Sequence, residues 1–293
     1  MNITSYLVIL FTSLWTVWRR ACLVAEIRMD KTMPIHYTIK SGNCKCFFMI
    51  DDVLLWEYNI FKKGDTEIMI KKLFHGSSKV IERPLYGAGK AYNDYGLGFY
   101  CTESLEMAKE WGSSKYRDGF ANCYELDCSG LKILDLNSSD FCVLHWLTVL
   151  LENREFDIPS ALAFDAKEYL LANFAVDYSS VDAIIGYRAD DSYFSFAQDF
   201  INGTISYRQL NNAMLLGKLG NQFVLKSREA FDRIHFIGYE PAESRLWYAK
   251  KMFRDQTARR EYFDIEKNRR QKGDIYITQI MDEEMKSDDT RLR

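Results

Sequence analysis

The chain predicts an α+β fold, and three observations carry that expectation. Segments with strand-like alternation are interleaved with helix-spaced segments, without the regular strand–helix order of a doubly wound sheet. The chain has 293 residues, 47% hydrophobic and 15% aromatic, which is enough to bury a sizeable core and argues against extensive disorder. It has only four prolines, with no Pro/Ser/Gly-rich linker, internal repeat or low-complexity tract. Composition and patterning together divide it into residues 1–68, 69–242 and 243–293.

Within 1–68, Ile3 to Trp18 is an apolar run ending in Arg19-Arg20. It falls slightly short of the ~20 residues that span hydrocarbon. It has neither a basic region before it nor a small-residue cleavage site after it, so a cleaved signal is not expected. As an anchor it would keep Arg19 and Arg20 on the cytoplasmic side and associate the protein with a membrane through residues 3–18. The competing expectations are translation starting at Met69, just after Lys63-Gly64-Asp65, or an ordinary packed extension. The expected location is cytoplasmic, with membrane association as the variant.

From Met69 the elements follow in order. Ile70 to His75 alternates as a strand running into a Gly76-Ser77-Ser78 turn, and residues 82–95 read as a loop. Phe99-Tyr100-Cys101 is a strand. Thr102 is placed to cap the next helix, with Glu103 in its first turn and Leu105, Ala108 and Trp111 on one face. Strands are expected at 122–127 and 132–136 around a Ser129-Gly130 turn, and helices at 141–152 and 161–174. Asp182 to Tyr187 reads as a buried strand leading to Arg188-Ala189-Asp190-Asp191, followed by a helix from Tyr193 to Ile201. Ser206 and Gln209 form a capping box that opens a helix through Leu219. The last core strands are expected at 221–226 and 234–239.

Charge and cysteines exclude some functions. The net charge of -3 gives no global attraction to nucleic acid. Between Arg245 and Lys272, however, ten basic residues face four acidic ones on a helix-compatible stretch. Such a stretch is either a solvated helix face or a surface for nucleic acid or an acidic partner. The seven cysteines lack metal-ligand spacing, so reduced thiols and no metal site are expected.

Three separated pieces carry the chemistry: Leu73-Phe74-His75-Gly76-Ser77, Gly96-Leu97-Gly98-Phe99-Tyr100 and Asn221-Gln222-Phe223-Val224-Leu225. In this order they resemble the strand-borne elements with which ADP-ribosyltransferases of the diphtheria-toxin and poly(ADP-ribose)-polymerase type hold NAD. From about Ile70 to Tyr239 the chain also resembles the bacterial family called domain of unknown function 3990. That resemblance runs through His75-Gly76-Ser77, Asp94 to Thr102, Ala108-x-x-Trp111, Asp182 to Gly186 with Ala189-Asp190-Asp191, Gly203-Thr204-Ile205 and Asn221-Gln222-Phe223.

The resemblance implies a split β-sheet core with flanking helices and NAD as the cofactor. It implies His75, Tyr100 and Gln222 as catalytic residues, and His75, Gly76, Ser77, Gly98 and Tyr100 as cofactor-binding residues; Arg83 is added to the cofactor-binding set by its place in the loop, as a second-rank candidate. Chemistry gives these residue types a use. Breaking the nicotinamide–ribose bond builds positive charge on the ribose, so positioning and electrostatics supply most of the catalysis. A neutral His75 can hydrogen-bond a ribose hydroxyl, and Tyr100 offers a rigid stacking face. Gly76 allows close approach of a ligand to the strand edge, and Arg83 lies in a loop able to cover phosphates.

Gln222 stands where the most active members of the superfamily carry Glu. Loss of one pre-organised electrostatic group costs about 2.7–4 kcal/mol, which suits mono-transfer better than chain elongation. Val224 two positions later departs from the Glu-x-Glu and Gln-x-Glu patterns, which disfavours arginine as acceptor. The expected function is therefore a mono-ADP-ribosyltransferase-like protein that uses NAD to modify a macromolecule, protein or nucleic acid. The resemblance further implies a toxin or conflict effector with a small antitoxin-like partner. The alternatives are an NAD-binding or NAD-hydrolysing module without transfer, or a non-catalytic interaction protein. Asp190 and Asp191 stand as second-rank site candidates.

Overall fold

The computed structural model describes residues 35–40, 43–50, 53–62, 67–189, 191–216 and 220–292. The chain divides into two compact units, Met1–Lys62 and Lys63–Arg293. The expected anchor, residues 3–18, lies outside the described residues. Among the described residues, no helix is long and apolar enough to cross a membrane.

The first unit contains a meander of three antiparallel strands, β1 (Ile35–Lys40), β2 (Asn43–Ile50) and β3 (Val53–Lys62). Their register pairs Ile39 with Cys44 and Cys46 with Tyr58, with a bulge between Phe48 and Met49. Residues rich in Val, Ile, Phe and Tyr suit a pleated surface, so the extension contains regular strands.

The second unit is mixed α+β. After a two-residue strand β4 (Glu67–Ile68), it contains β5 (Ile70–Ser77), β6 (Phe99–Cys101), α1 (Leu105–Gly112), β7 (Gly119–Asp127) and β8 (Ile133–Asp135). Next come α2 (Val143–Asn153), α3 (Ala161–Asn173), β9 (Ala183–Tyr187), α4 (Asp191–Ile201) and α5 (Tyr207–Leu215). The chain continues through β10 (Asn221–Leu225), α6 (Arg228–Asp232), β11 (Ile234–Ala242), α7 (Ser244–Glu261) and α8 (Ile277–Asp282). One sheet has the order β6-β10-β9-β8, with only the β8–β9 pair parallel; the other has the order β11-β7-β5 and is antiparallel.

A backbone bridge joins the two sheets. Phe74 N–H donates to Thr102 O at 2.8 Å, and Thr102 N–H donates back to Phe74 O at 2.9 Å. This bridge corrects the expected cap of α1. Thr102 is engaged with β5, and Ser104 caps the helix instead, its hydroxyl accepting from Met107 N–H. Glu106, not Glu103, is then the acidic residue in the first turn. The capping box at α5 forms as its spacing predicts, Ser206 and Gln209 each bonding the other's backbone N–H.

Between the sheets lies an apolar layer that includes Leu73, Phe99, Tyr124, Leu126, Phe223 and Leu225. Val224, one residue out of phase, faces the opposite side and joins the larger helical core of α2 to α5. Residues after 242, separated as a tail by their charge, contribute to that same core. Tyr262, Ile277, Ile280, Met285 and Leu292 are all buried in it. The charge excess hid these apolar anchors because they are spread thinly along a polar stretch.

Candidate functional site

Three strands far apart in sequence deliver the predicted residues to one place. His75, Arg83, Gly98, Tyr100 and Gln222 all line a single pocket of about 1000 Å³. The Phe74–Thr102 bridge sets β5 against β6, which lets His75 Nδ1 reach Tyr100 O at 2.7 Å. A carbonyl only accepts, so Nδ1 carries the proton. Burial holds the imidazole below its ordinary pKa and therefore neutral, leaving Nε2 as an acceptor. The ring also stacks on Phe99, with centroids 4.4 Å apart.

Tyr100 has its hydroxyl fully engaged. It donates to Gly96 O at 2.6 Å and accepts from Tyr95 N–H at 3.0 Å, and burial pushes its pKa up. That excludes the phenol as a proton carrier and makes Tyr100 the tie that folds the 94–100 loop back on itself. Lys226 holds the same loop from the other side, donating to Tyr95 O at 2.5 Å and Leu97 O at 2.7 Å. Gly96 takes a left-handed conformation at φ 68°, where a side chain would be strained.

Gly76 and Ser77 are not among the residues that line the pocket. A Cβ on Gly76 would come 2.1 Å from Ala108 O and 2.6 Å from Gly112 N, so the glycine lets α1 lie against β5. Gly98 lines the pocket but is required by packing too, since a Cβ there would lie 2.7 Å from Val224 Cγ1. Asp190 lies outside the described residues; Asp191 opens α4, and its side chain is outside them as well.

The folded loop brings in Asp94, which the sequence shows only as one letter of a motif, without a role. Asp94 is only 6% exposed and lines the pocket beside Gln222, itself 5% exposed. One carboxylate oxygen accepts from Arg154 Nη1 at 2.8 Å. The other accepts from Ala189 N–H at 2.9 Å and from Gln222 Nε2 at 3.0 Å. Burial raises the Asp94 pKa, opposed by the Ala189 bond and by the charges of Arg154 and Arg188. Gln222 Oε1 is buried and has no hydrogen-bond partner among the described residues.

The remaining wall is cationic. Among the described residues, Arg83, Lys90, Arg154, Arg188, Lys251 and Arg259 line the pocket against only Asp94 and Asp255. The Arg188 guanidinium lies 3.7 Å from the centre of the Trp111 ring. Tyr248, Lys251, Met252, Asp255 and Arg259 come from α7 and share one of its faces by helical spacing. This basic stretch is legible in the sequence as a helix, but its charge sets it apart from the domain it completes; the spacing of 248, 251, 252, 255 and 259 was the available signal. Arg254 anchors the helix, bonding Glu110 of α1 through Nε at 3.0 Å and Nη2 at 2.6 Å. Among the described residues, no three His, Cys, Asp or Glu side chains group as a metal site.

A family model described as "Protein of unknown function (DUF3990)" matches residues 71–236. The chain belongs to this family. The match takes in the strands that carry His75, Tyr100 and Gln222, together with Asp94 and Arg154, and it ends before α7 begins. No curated protein and no solved structure matches the chain significantly.

Proposed function

We propose that the chain is a mono-ADP-ribosyltransferase-like protein that takes NAD in this pocket and modifies a macromolecule, with an ADP-ribosyltransferase-like split-sheet core. The observation that carries the reading is the convergence of His75, Tyr100 and Gln222, from three strands, on one cation-rich pocket. The residues present fit such a ligand. Six cationic side chains against two carboxylates suit a diphosphate. Gln222 Oε1 is a buried acceptor without a partner among the described residues, and an unmet buried group of this kind favours a ligand that donates to it.

NAD supplies an ADP-ribosyl group whose release from nicotinamide builds positive charge on the ribose. The chain's own groups orient and shield. His75 Nε2, held as an acceptor by the Nδ1–H bond to Tyr100 O, receives a ribose hydroxyl. The Tyr100 ring provides a flat face whose hydroxyl is locked to the backbone and cannot rotate away. Asp94 and Gln222 contribute negative charge and an acceptor in a buried setting, where electrostatic interactions are strengthened. Lys251 and Arg259 on α7, together with Arg83, draw in the phosphates.

Incubation with labelled NAD and cell lysate tests the reading, with wild type beside His75→Ala and Tyr100→Ala. Labelled acceptor is expected with wild type and lost in both variants. Free nicotinamide without labelled acceptor would assign NAD hydrolysis instead. Failure of the wild type to bind NAD in calorimetry would end the proposal and leave an interaction role.

A further inference from the structure

The Gln222 amide offers an oxygen on one side and an NH2 on the other, and alone it could present either to a ligand. Its neighbour removes that choice. An ionised carboxylate only accepts, so the 3.0 Å contact between Asp94 and Gln222 requires Nε2–H to point at Asp94 and leaves Oε1 for the pocket. Arg154 on the far oxygen and Ala189 N–H on the near one both donate to Asp94, which holds it in place and favours its ionised form against the effect of burial. Arg154 is itself steadied, its guanidinium lying 4.8 Å from the centre of the Phe194 ring.

We propose that Asp94 is a positioning residue that makes Gln222 an obligate hydrogen-bond acceptor, so that the Asp94–Gln222 pair does what a single carboxylate at position 222 would do. The negative charge sits on the neighbouring side chain, and its bond to the amide leaves a correctly oriented oxygen for the pocket. For its ligand the proposal rests on the NAD reading above. It predicts that Gln222→Glu alone is harmful, because two carboxylates about 3 Å apart cannot both ionise. It also predicts that moving the charge forward is tolerated if the amide moves back. In the double variant Asp94→Asn, Gln222→Glu, the amide at position 94 can donate to the carboxylate at position 222, the reverse of the native bond.

The test compares wild type, Asp94→Asn, Gln222→Glu and the double variant for NAD affinity by calorimetry, with unfolding temperature measured on each. Each single substitution is expected to weaken NAD binding by about tenfold or more, the usual scale for mispairing one buried polar contact. The double variant is expected to bind more tightly than either single variant. Its recovery is partial, because an amide NH2 facing position 222 takes the place of the oxygen that accepts from Ala189 N–H.

Gln222→Glu binding NAD as well as or better than wild type would overturn the proposal, as would losses that simply add in the double variant. Either result leaves the NAD reading standing, since the wild type still binds. If the wild type does not bind NAD, that reading fails separately, and the unfolding temperatures decide the pair. A double variant more stable than Gln222→Glu supports it, and additive temperatures overturn it.

Discussion

In the floor of the pocket, polar contacts join parts of the chain that are distant in sequence. His75 meets Tyr100, Asp94 meets Arg154, Ala189 and Gln222, and each of these contacts is 3.0 Å or shorter. In the α7 wall, Arg259 pairs with Asp255 four residues away at 3.0 Å, and Arg254 and Ser244 tie the helix to Glu110, Asp118 and Ser114. The floor therefore holds its groups in fixed orientations, as a site that discriminates must. The wall presents long cations on one helical face, which suits attraction and retention of an anion more than orientation of it.

Four changes break or sharpen this contrast. The largest effect is expected from Glu110→Ala. Glu110 is buried, and removing it takes from Arg254 the carboxylate that its Nε and Nη2 both bond between α1 and α7, a loss of about 3–5 kcal/mol. Denaturant unfolding should register that loss, and NAD affinity should fall with it as the wall loosens. An unchanged midpoint would show that α7 is held by something else.

Tyr100→Phe comes next. It removes the hydroxyl that joins Tyr95 N–H to Gly96 O, at a cost of about 1–3 kcal/mol if both are left unmet. NAD affinity should fall along with stability, because the loop that carries Asp94 loses its tie. A variant that loses stability but binds normally would detach the loop from the site.

The third change is in pH. Burial holds His75 below its ordinary value of 6.5, so the folded protein keeps it neutral while the unfolded chain takes up a proton. The stability it contributes is complete above the unfolded value and is lost as pH falls through the folded one. Between about pH 7.5 and pH 5, wild type should lose more unfolding free energy than His75→Gln. Parallel curves would show that His75 is not protected from protonation.

The smallest effects are expected in the wall. Lys251→Ala and Arg259→Ala should each weaken NAD binding by about 0.3–1 kcal/mol, with the loss shrinking at high salt. Floor variants should show no such salt dependence. Wall variants with floor-sized losses would mean that α7 orients the ligand as well as attracting it.

The strands were legible because their alternation is local, and the capping box at Ser206 and Gln209 because it spans only four residues. The cap of α1 was misplaced because Thr102 looks like a cap until its backbone is seen bridging β5. Gly76 was legible as a required glycine, but its reason was not. The demand comes from the Ala108 carbonyl and α1, not from within its own strand. Asp94 was visible only as one letter of a motif, since its meaning depends on a contact with a residue 128 positions away.

The sequence by itself determined the α+β class, the order of the three motif pieces and the presence of Gln at position 222. Those properties depend on residue type and short-range spacing. Tertiary structure alone decided that Asp94 meets Gln222, that the amide faces one way and that α7 lines the pocket with cations. A hydrogen-bonded amide takes its orientation from its partner, and that partner becomes a neighbour only when the 94–100 loop and β10 fold together.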